Sequence, residues 1–107
     1  MKRKFLDAMH RFEEALALMS GWARRSQREE WMGTPESDRL RCAASFEALG
    51  ASWFASQQDL ETLRVIVDRC LAHYAGGLLH EGELDVKEID AFLSGLRDKV
   101  SGSGGTH

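Results

Sequence analysis

His80-Glu-Gly-Glu-Leu-Asp-Val-Lys-Glu-Ile-Asp-Ala-Phe-Leu93 has the outline of the back half of a calcium loop. A glycine is followed two residues later by an aliphatic residue, and six residues later by a glutamate that leads into an apolar helix. An EF-hand loop takes oxygen ligands from positions 1, 3, 5, 7, 9 and 12, with glycine at 6. With Gly82 at position 6, Glu88 falls at 12, Asp85 at 9 and Glu81 at 5. Gly77 and Leu79 then fall at positions 1 and 3, where no side-chain oxygen is available. A hard cation wanting six to eight oxygens is left with too few. A helix start accounts for the same residues: Asp85 as N-cap, Glu88 closing a capping box, and Leu84 with Ile89 as a hydrophobic staple. The stretch therefore predicts a helix over 86–100 and no metal site.

The same periodicity recurs upstream. Val86, Ile89, Leu93, Leu96 and Val100 are spaced 3-4-3-4, one face of an amphipathic helix. Leu60, Leu63, Val67, Cys70 and Tyr74 form a stripe on a segment that opens at Ser56, with Asp59 in the capping-box position. That segment stops at Gly76-Gly77, where a left-handed residue is tolerated. Cys42, Phe46, Leu49 and Trp53 lie on a further helix that begins after Thr34, an N-cap candidate, with Pro35 in the first helical position. Gly50 interrupts this stripe. The helix ends there or, as the stripe favours, runs on to about Ala55.

At the N-terminus, Phe5, Met9, Phe12, Leu16, Met19 and Ala23 keep a 4-3-4-3-4 spacing over about Lys2 to Glu30, the seam of a long helix that packs along its length. Ser20-Gly21 is a candidate loosening point. These segments predict an all-α fold: a small bundle of about four helices, with a long amphipathic N-terminal helix. Residues 1–100 form one domain and the Ser/Gly-rich residues 101–107 a flexible tail.

Length and composition agree with this. A chain of 107 residues has room for one modest core. Its 43% hydrophobic and 29% charged residues are those of an ordinary globular protein. The net charge is −3, which signals neither nucleic acid nor membrane. Residues 1–31 hold seven Lys/Arg against five Asp/Glu and residues 32–107 hold seven against twelve, so opposite potentials at the two ends of the molecule are expected. Met1-Lys-Arg-Lys4 has the basic start of a secretory signal, but Asp7, His10, Arg11, Glu13 and Glu14 interrupt any apolar run. No stretch reaches the roughly 18 apolar residues of a membrane span. Cys42 and Cys70 form neither a CxxC pair nor a disulfide framework, and both fall on apolar stripes. A reduced, cytoplasmic protein is expected.

Chemical motifs are sparse. Cys70 and His73 share a helix face and His80 follows, but zinc needs three or four converging ligands, and only His10 and Cys42 remain to complete a set. Glu13-Glu14 and Glu29-Glu30 are adjacent pairs that point to different parts of a helix surface, so they read as solvated charge. Gly76-Gly77 lacks the Lys-Ser/Thr of a phosphate loop. No enzymatic activity and no cofactor are expected.

Nucleic acid is the alternative, carried by Arg24, Arg25 and Arg28 near the end of the first helix, with Arg39 and Arg41 opening the second. Glu29, Glu30, Glu36 and Asp38 interleave with these arginines, whereas DNA-binding domains present an uncompensated basic face.

The remaining signal is surplus apolar surface. Ala8, Ala15, Leu18 and Trp22 widen the apolar face of the first helix to about half its circumference. Trp53-Phe54 would point about 100° apart on a helix. Ile66 sits beside its stripe, Val65 well away from it, and Trp31 lies near the first helix's exit. Either four helices wrap around these side chains or some of them form an interface. Aromatic anchors are what protein interfaces use. Leu18, Trp22, Trp53, Phe54 and Ile66 are therefore expected to include the anchors for a partner protein. Phe5, Met9, Phe12, Leu16 and Met19 are expected to form the seam of a homodimer.

The length, the Arg/Ala/Leu-rich composition, the Met1-Lys-Arg-Lys-Phe5 start and the helix layout together resemble the QslA-type quorum-sensing antiactivators of Pseudomonas. That resemblance implies a partner, the ligand-binding domain of a LuxR-type transcriptional activator such as LasR. It also implies a mechanism, in which the regulator is kept from dimerising and from binding its promoters. No residue role is carried over, and the interface residues rest on the surplus apolar surface alone.

Overall fold

The computed structural model describes residues 2–24 and 35–102, with only the backbone described for Lys2, Trp22, Ala23, Arg24, Pro35, Ser101 and Gly102. Four helices carry these residues: α1 Lys2–Arg24, α2 Pro35–Ala51, α3 Gln57–Ala75 and α4 Leu79–Gly102. No strand occurs among them. The fold is an all-α bundle of 47 × 25 × 24 Å. α1 packs chiefly on α2 and α3 on α4, and α1–α4 and α2–α3 contacts close the ring.

The apolar stripes point inward. Phe5, Met9, Phe12, Leu16 and Met19 of α1 are buried, as are Cys42, Phe46 and Leu49 of α2. Leu63, Val67, Cys70 and Tyr74 of α3 meet Val86, Ile89, Leu93, Leu96 and Val100 of α4 in the same core. The α1 seam is thus closed inside the chain by its own helices. This corrects the expectation that Phe5, Met9, Phe12, Leu16 and Met19 form a homodimer seam: they are spent on the core.

Helix ends follow local chemistry, with three departures from expectation. Pro35 opens α2, where its missing N–H costs nothing. Thr34, Arg25–Glu30 and Trp31 lie outside the described residues. α2 does not run on to Ala55. It ends at Ala51, where the Ser52 amide donates to the Ala48 and Leu49 carbonyls and the Trp53 amide donates to Gly50. These contacts tighten the last turn and release the chain. Trp53 then turns back onto Phe5, with ring centroids 5.2 Å apart and planes at 80°, an edge-to-face geometry.

Ser56 caps α3, its Oγ accepting from the Asp59 amide at 3.1 Å. The Asp59 carboxylate lies 3.5 Å from Lys99 Nζ on α4. At the other end, Gly77 adopts φ +79°. The Leu78 amide donates to His73 and the Gly77 amide to Tyr74, the paired bonds of a Schellman motif.

α4 begins at Leu79, seven residues before the expected Val86. The left-handed Gly77 turns the chain so tightly that the next helix starts at once, and the Gly82 amide already donates to Leu78. Asp85 is therefore inside a helix and not its N-cap, and Leu84 is exposed, so no staple forms. At its far end α4 continues through Ser101 and Gly102, two residues into the expected tail. Ser103–His107 lie outside the described residues.

Candidate interaction surface

α1 presents to solvent a row opposite its core stripe: Lys4, Asp7, Arg11, Glu14 and Leu18, spaced 3-4-3-4 and all exposed. α2 presents beside it Arg41, Ala44, Ser45, Ala48 and Ser52, which after Arg41 are all short. Long side chains on one helix and short ones on its neighbour leave a trough between them. One part, of about 640 Å³, lies between Arg11, Leu18 and Gly21 of α1 and Arg41 and Ser45 of α2. A second, of about 530 Å³, continues it between Lys4, Asp7 and Ala8 and Ala44, Ala48 and Ser52. The two share Arg11, Arg41 and Ser45. A third depression, of about 240 Å³, joins at Lys4 and Ser52 and ends at Trp53 and Phe54.

Phe54 closes this end. It is 51% exposed and stands against Phe5, with ring centroids 6.5 Å apart. On its other side lies a depression lined by Ser56, Asp59, Lys99 and Val100. Trp53 behind it is half-buried, and its indole Nε1 donates to the Ser56 carbonyl at 2.8 Å. Phe54 is thus an aromatic held upright by a fixed turn.

The five residues expected as partner anchors do not form one patch. Leu18 is 41% exposed and lies fourteen residues along α1 from Lys4, about 21 Å from the Phe54 end. Phe54 is exposed and Trp53 partly so. Ile66 is 6% exposed and belongs to the core. Its place beside the α3 stripe, which suggested an interface, points it inward because the core arc of α3 is wide enough to include it. The Trp22 side chain lies outside the described residues, as do the side chains of Arg24, Arg25 and Arg28. Leu40, Val65, Leu78, Leu79 and Leu84 are also exposed. Of these, Val65 alone carried a signal in sequence, its position well off the α3 stripe.

A second polar constellation joins α3 to α4. Asp85, its side chain 6% exposed, lies 2.5 Å from His73 Nδ1 through Oδ2. Its Oδ1 accepts from Arg69 Nε at 2.8 Å, and Arg69 Nη2 donates to Glu88 at 2.7 Å. These hydrogen bonds, that to Asp85 first, hold the Arg69 pKa above its ordinary value. Reading Asp85 as an N-cap hid this cluster from sequence inspection.

Cys70 neighbours it, but its Sγ donates to the Gly82 carbonyl at 3.7 Å. Burial, and secondarily Asp85, push the Cys70 thiol up to about 12. Burial, and secondarily Cys70, push Cys42 up to about 12 as well. Thiols so protonated are not nucleophiles at neutral pH, so Cys70, His73 and Asp85 do not make an activated cysteine site. No group of three or more His, Cys, Asp or Glu residues is arranged to hold a metal among the described residues, and no described helix is long and apolar enough to cross a membrane.

Compared with known proteins, the chain matches no family model, no curated protein and no solved structure.

Proposed function

We propose that this chain is a non-enzymatic regulatory protein that works by binding another protein. Its partner in this reading is the ligand-binding domain of a LuxR-type quorum-sensing activator, and the outcome is antiactivation. The observation that carries the protein-binding part is Phe54: a large aromatic, half exposed, fixed against Phe5 and flanked by depressions on both sides. Rigid aromatics of this kind supply hot spots because little side-chain freedom is lost when they are covered. The LuxR-type partner is supported by the resemblance in length, start and helix layout described above.

The mechanism is competition. A LuxR-type activator reads a two-fold DNA site as a dimer. A protein that binds its monomer withdraws the DNA-competent form by mass action, and the ratio of inhibitor to activator sets the threshold of the switch.

The test is capture of a purified LuxR-type ligand-binding domain, with Phe54→Glu as the control variant. Wild-type protein should retain the domain and abolish promoter retardation, while Phe54→Glu keeps its helical circular dichroism and loses both effects. Failure of the wild-type protein to retain the domain overturns the LuxR reading. Retention of DNA by the protein alone, lost when Arg24, Arg25 and Arg28 are neutralised, transfers the function to the arginine cluster.

A further inference from the structure

Ion pairs cross three of the four seams of the bundle. Glu13 meets Arg97 across α1–α4, Glu47 meets Arg64 across α2–α3, and Asp59–Lys99 and Arg69–Asp85 cross α3–α4. The α1–α2 seam is lined by Lys4, Asp7, Arg11, Glu14 and Arg41, and among the described residues no ion pair joins these α1 charges to Arg41 or to any other α2 side chain. Asp7 and Arg11 are four residues apart on one helix, yet Lys4, Asp7 and Arg11 form no ion pair among the described residues. Among the described residues Glu14 pairs with the exposed His10, at 3.6 Å.

The order of these charges along the outer row of α1 is positive, negative, positive, negative. When two such rows lie antiparallel about a point beside residue 9, Lys4 faces Glu14 of the other copy and Asp7 faces Arg11. Each contact occurs twice, as a two-fold axis requires. That axis falls opposite the short residues Ala44 and Ala48 of α2, so the backbones can approach without moving a large side chain. The same pairing carries Leu18 of each copy past residue 4 of the other, toward the end where Phe54 is exposed.

We propose that the outer α1/α2 face is a homodimer interface, in which two copies pair antiparallel through Lys4–Glu14 and Asp7–Arg11 contacts between chains. The occupant of the trough is a second copy of this chain. Overlap extends over about 15 residues of α1, roughly 22 Å by two helix widths, or about 440 Å² per copy. That is about 880 Å² in total, below the range of stable specific interfaces and in that of transient ones, so the dimer is weak, dissociating in the micromolar range and more readily in high salt. A partner that takes Phe54 competes with it. The dimer does not depend on the regulator reading, because it is measured on the purified chain alone.

The experiment is sedimentation equilibrium on the full-length protein from about 5 to 500 µM, a span that brackets micromolar dissociation. Wild-type mass should rise from 12.0 kDa toward twice that value. Asp7→Arg sets Arg against Arg11 of the other copy, and Arg11→Asp sets Asp against Asp7. Each should raise the dissociation constant at least about tenfold, since like charges are juxtaposed twice. The doubly exchanged chain, with both substitutions, should dimerise as wild type does. Mixing the two single variants should give a heterodimer, because every contact is then complementary. Three outcomes overturn the proposal: a wild-type monomer throughout, a dimer indifferent to the single substitutions, or single variants that do not associate on mixing. A monomeric wild type whose Asp7→Arg variant loses a LuxR-type domain would assign the face to that partner instead. Circular dichroism of each variant verifies the fold, and the mixing arm remains decisive if the doubly exchanged chain folds poorly.

Discussion

The ring of Tyr74 occupies the place where a side chain on residue 82 would begin: a Cβ on Gly82 would lie 2.6 Å from Cε2 and 2.8 Å from Cδ2. Gly82 is therefore where α3 and α4 come closest beside their turn. The glycine that gives the His80–Leu93 stretch its calcium-loop outline is there to let two helices touch. It stands in the fourth position of α4, where its amide already bonds to Leu78.

Gly82→Ala should destabilise the fold by about 1–3 kcal/mol, the range for forcing an extra carbon into a packed site. Tyr74 is buried and its ring is rigid, so no flexible tail can move aside. In a Tyr74→Leu background the same substitution should be much milder. Urea unfolding of the four members of this cycle measures the coupling, and additive effects would remove the steric account.

Asp85 holds α3 and α4 together by accepting from Arg69 and contacting His73, with its own carboxylate almost fully enclosed. Asp85→Ala should cost about 2 kcal/mol. That is below the full price of breaking a buried pair, because Arg69 is 43% exposed and can turn to water. The midpoint of urea unfolding should fall with an unchanged m-value.

Asp90 is exposed as a residue, but partial desolvation of its carboxyl first, and the Glu13 charge second, raise its pKa above 3.8. The fold disfavours its charged form. Its stabilising contribution is fully present below pH 3.8 and is lost as pH rises through the elevated value. Asp90→Asn should therefore raise Tm at pH 7, and the gain should shrink toward zero below pH 3.8. Thermal unfolding followed by circular dichroism at both pH values reads the difference. An equal gain at both would assign the effect to packing.

Cys42 and Cys70, both pushed up to about 12, should resist alkylation by iodoacetamide in the native protein at pH 8 and react promptly in denaturant. Mass spectrometry after timed quenching counts the modified thiols. Because the folded protein disfavours the thiolate, stability should also fall as pH rises above 9 toward 12. Rapid native modification of either cysteine would contradict its enclosed position.

The amphipathic stripes were legible in sequence because their cause is local. A 3-4 spacing of apolar residues has one way to be buried on a helix, and Phe5–Met19, Cys42–Leu49, Leu63–Tyr74 and Val86–Val100 all turned inward as their spacing requires. Ser56 and Gly77 acted as cap and stop for equally local reasons. What Trp53 packs on after α2 ends is Phe5, and what Asp85 accepts from and contacts inside α4 is Arg69 and His73. Those partners lie 48 residues from Trp53 in one case, and 16 and 12 residues from Asp85 in the other. Asp85 has the chemistry of an N-cap and of a buried acceptor alike, and nothing beside it in the chain distinguishes the two.

The candidate surface divides the same way. Alternating charge on α1 is written in Lys4, Asp7, Arg11 and Glu14, but only the packing of the bundle set it beside the short side chains of α2. Ile66 and Phe54 are both large and apolar, and only the packing of the bundle made one a core residue and left the other exposed. The sequence by itself determined four helices and the face each would bury, since periodicity is a property of one segment. The tertiary structure alone decided which residues remain outside, because exposure depends on what every other segment has already covered.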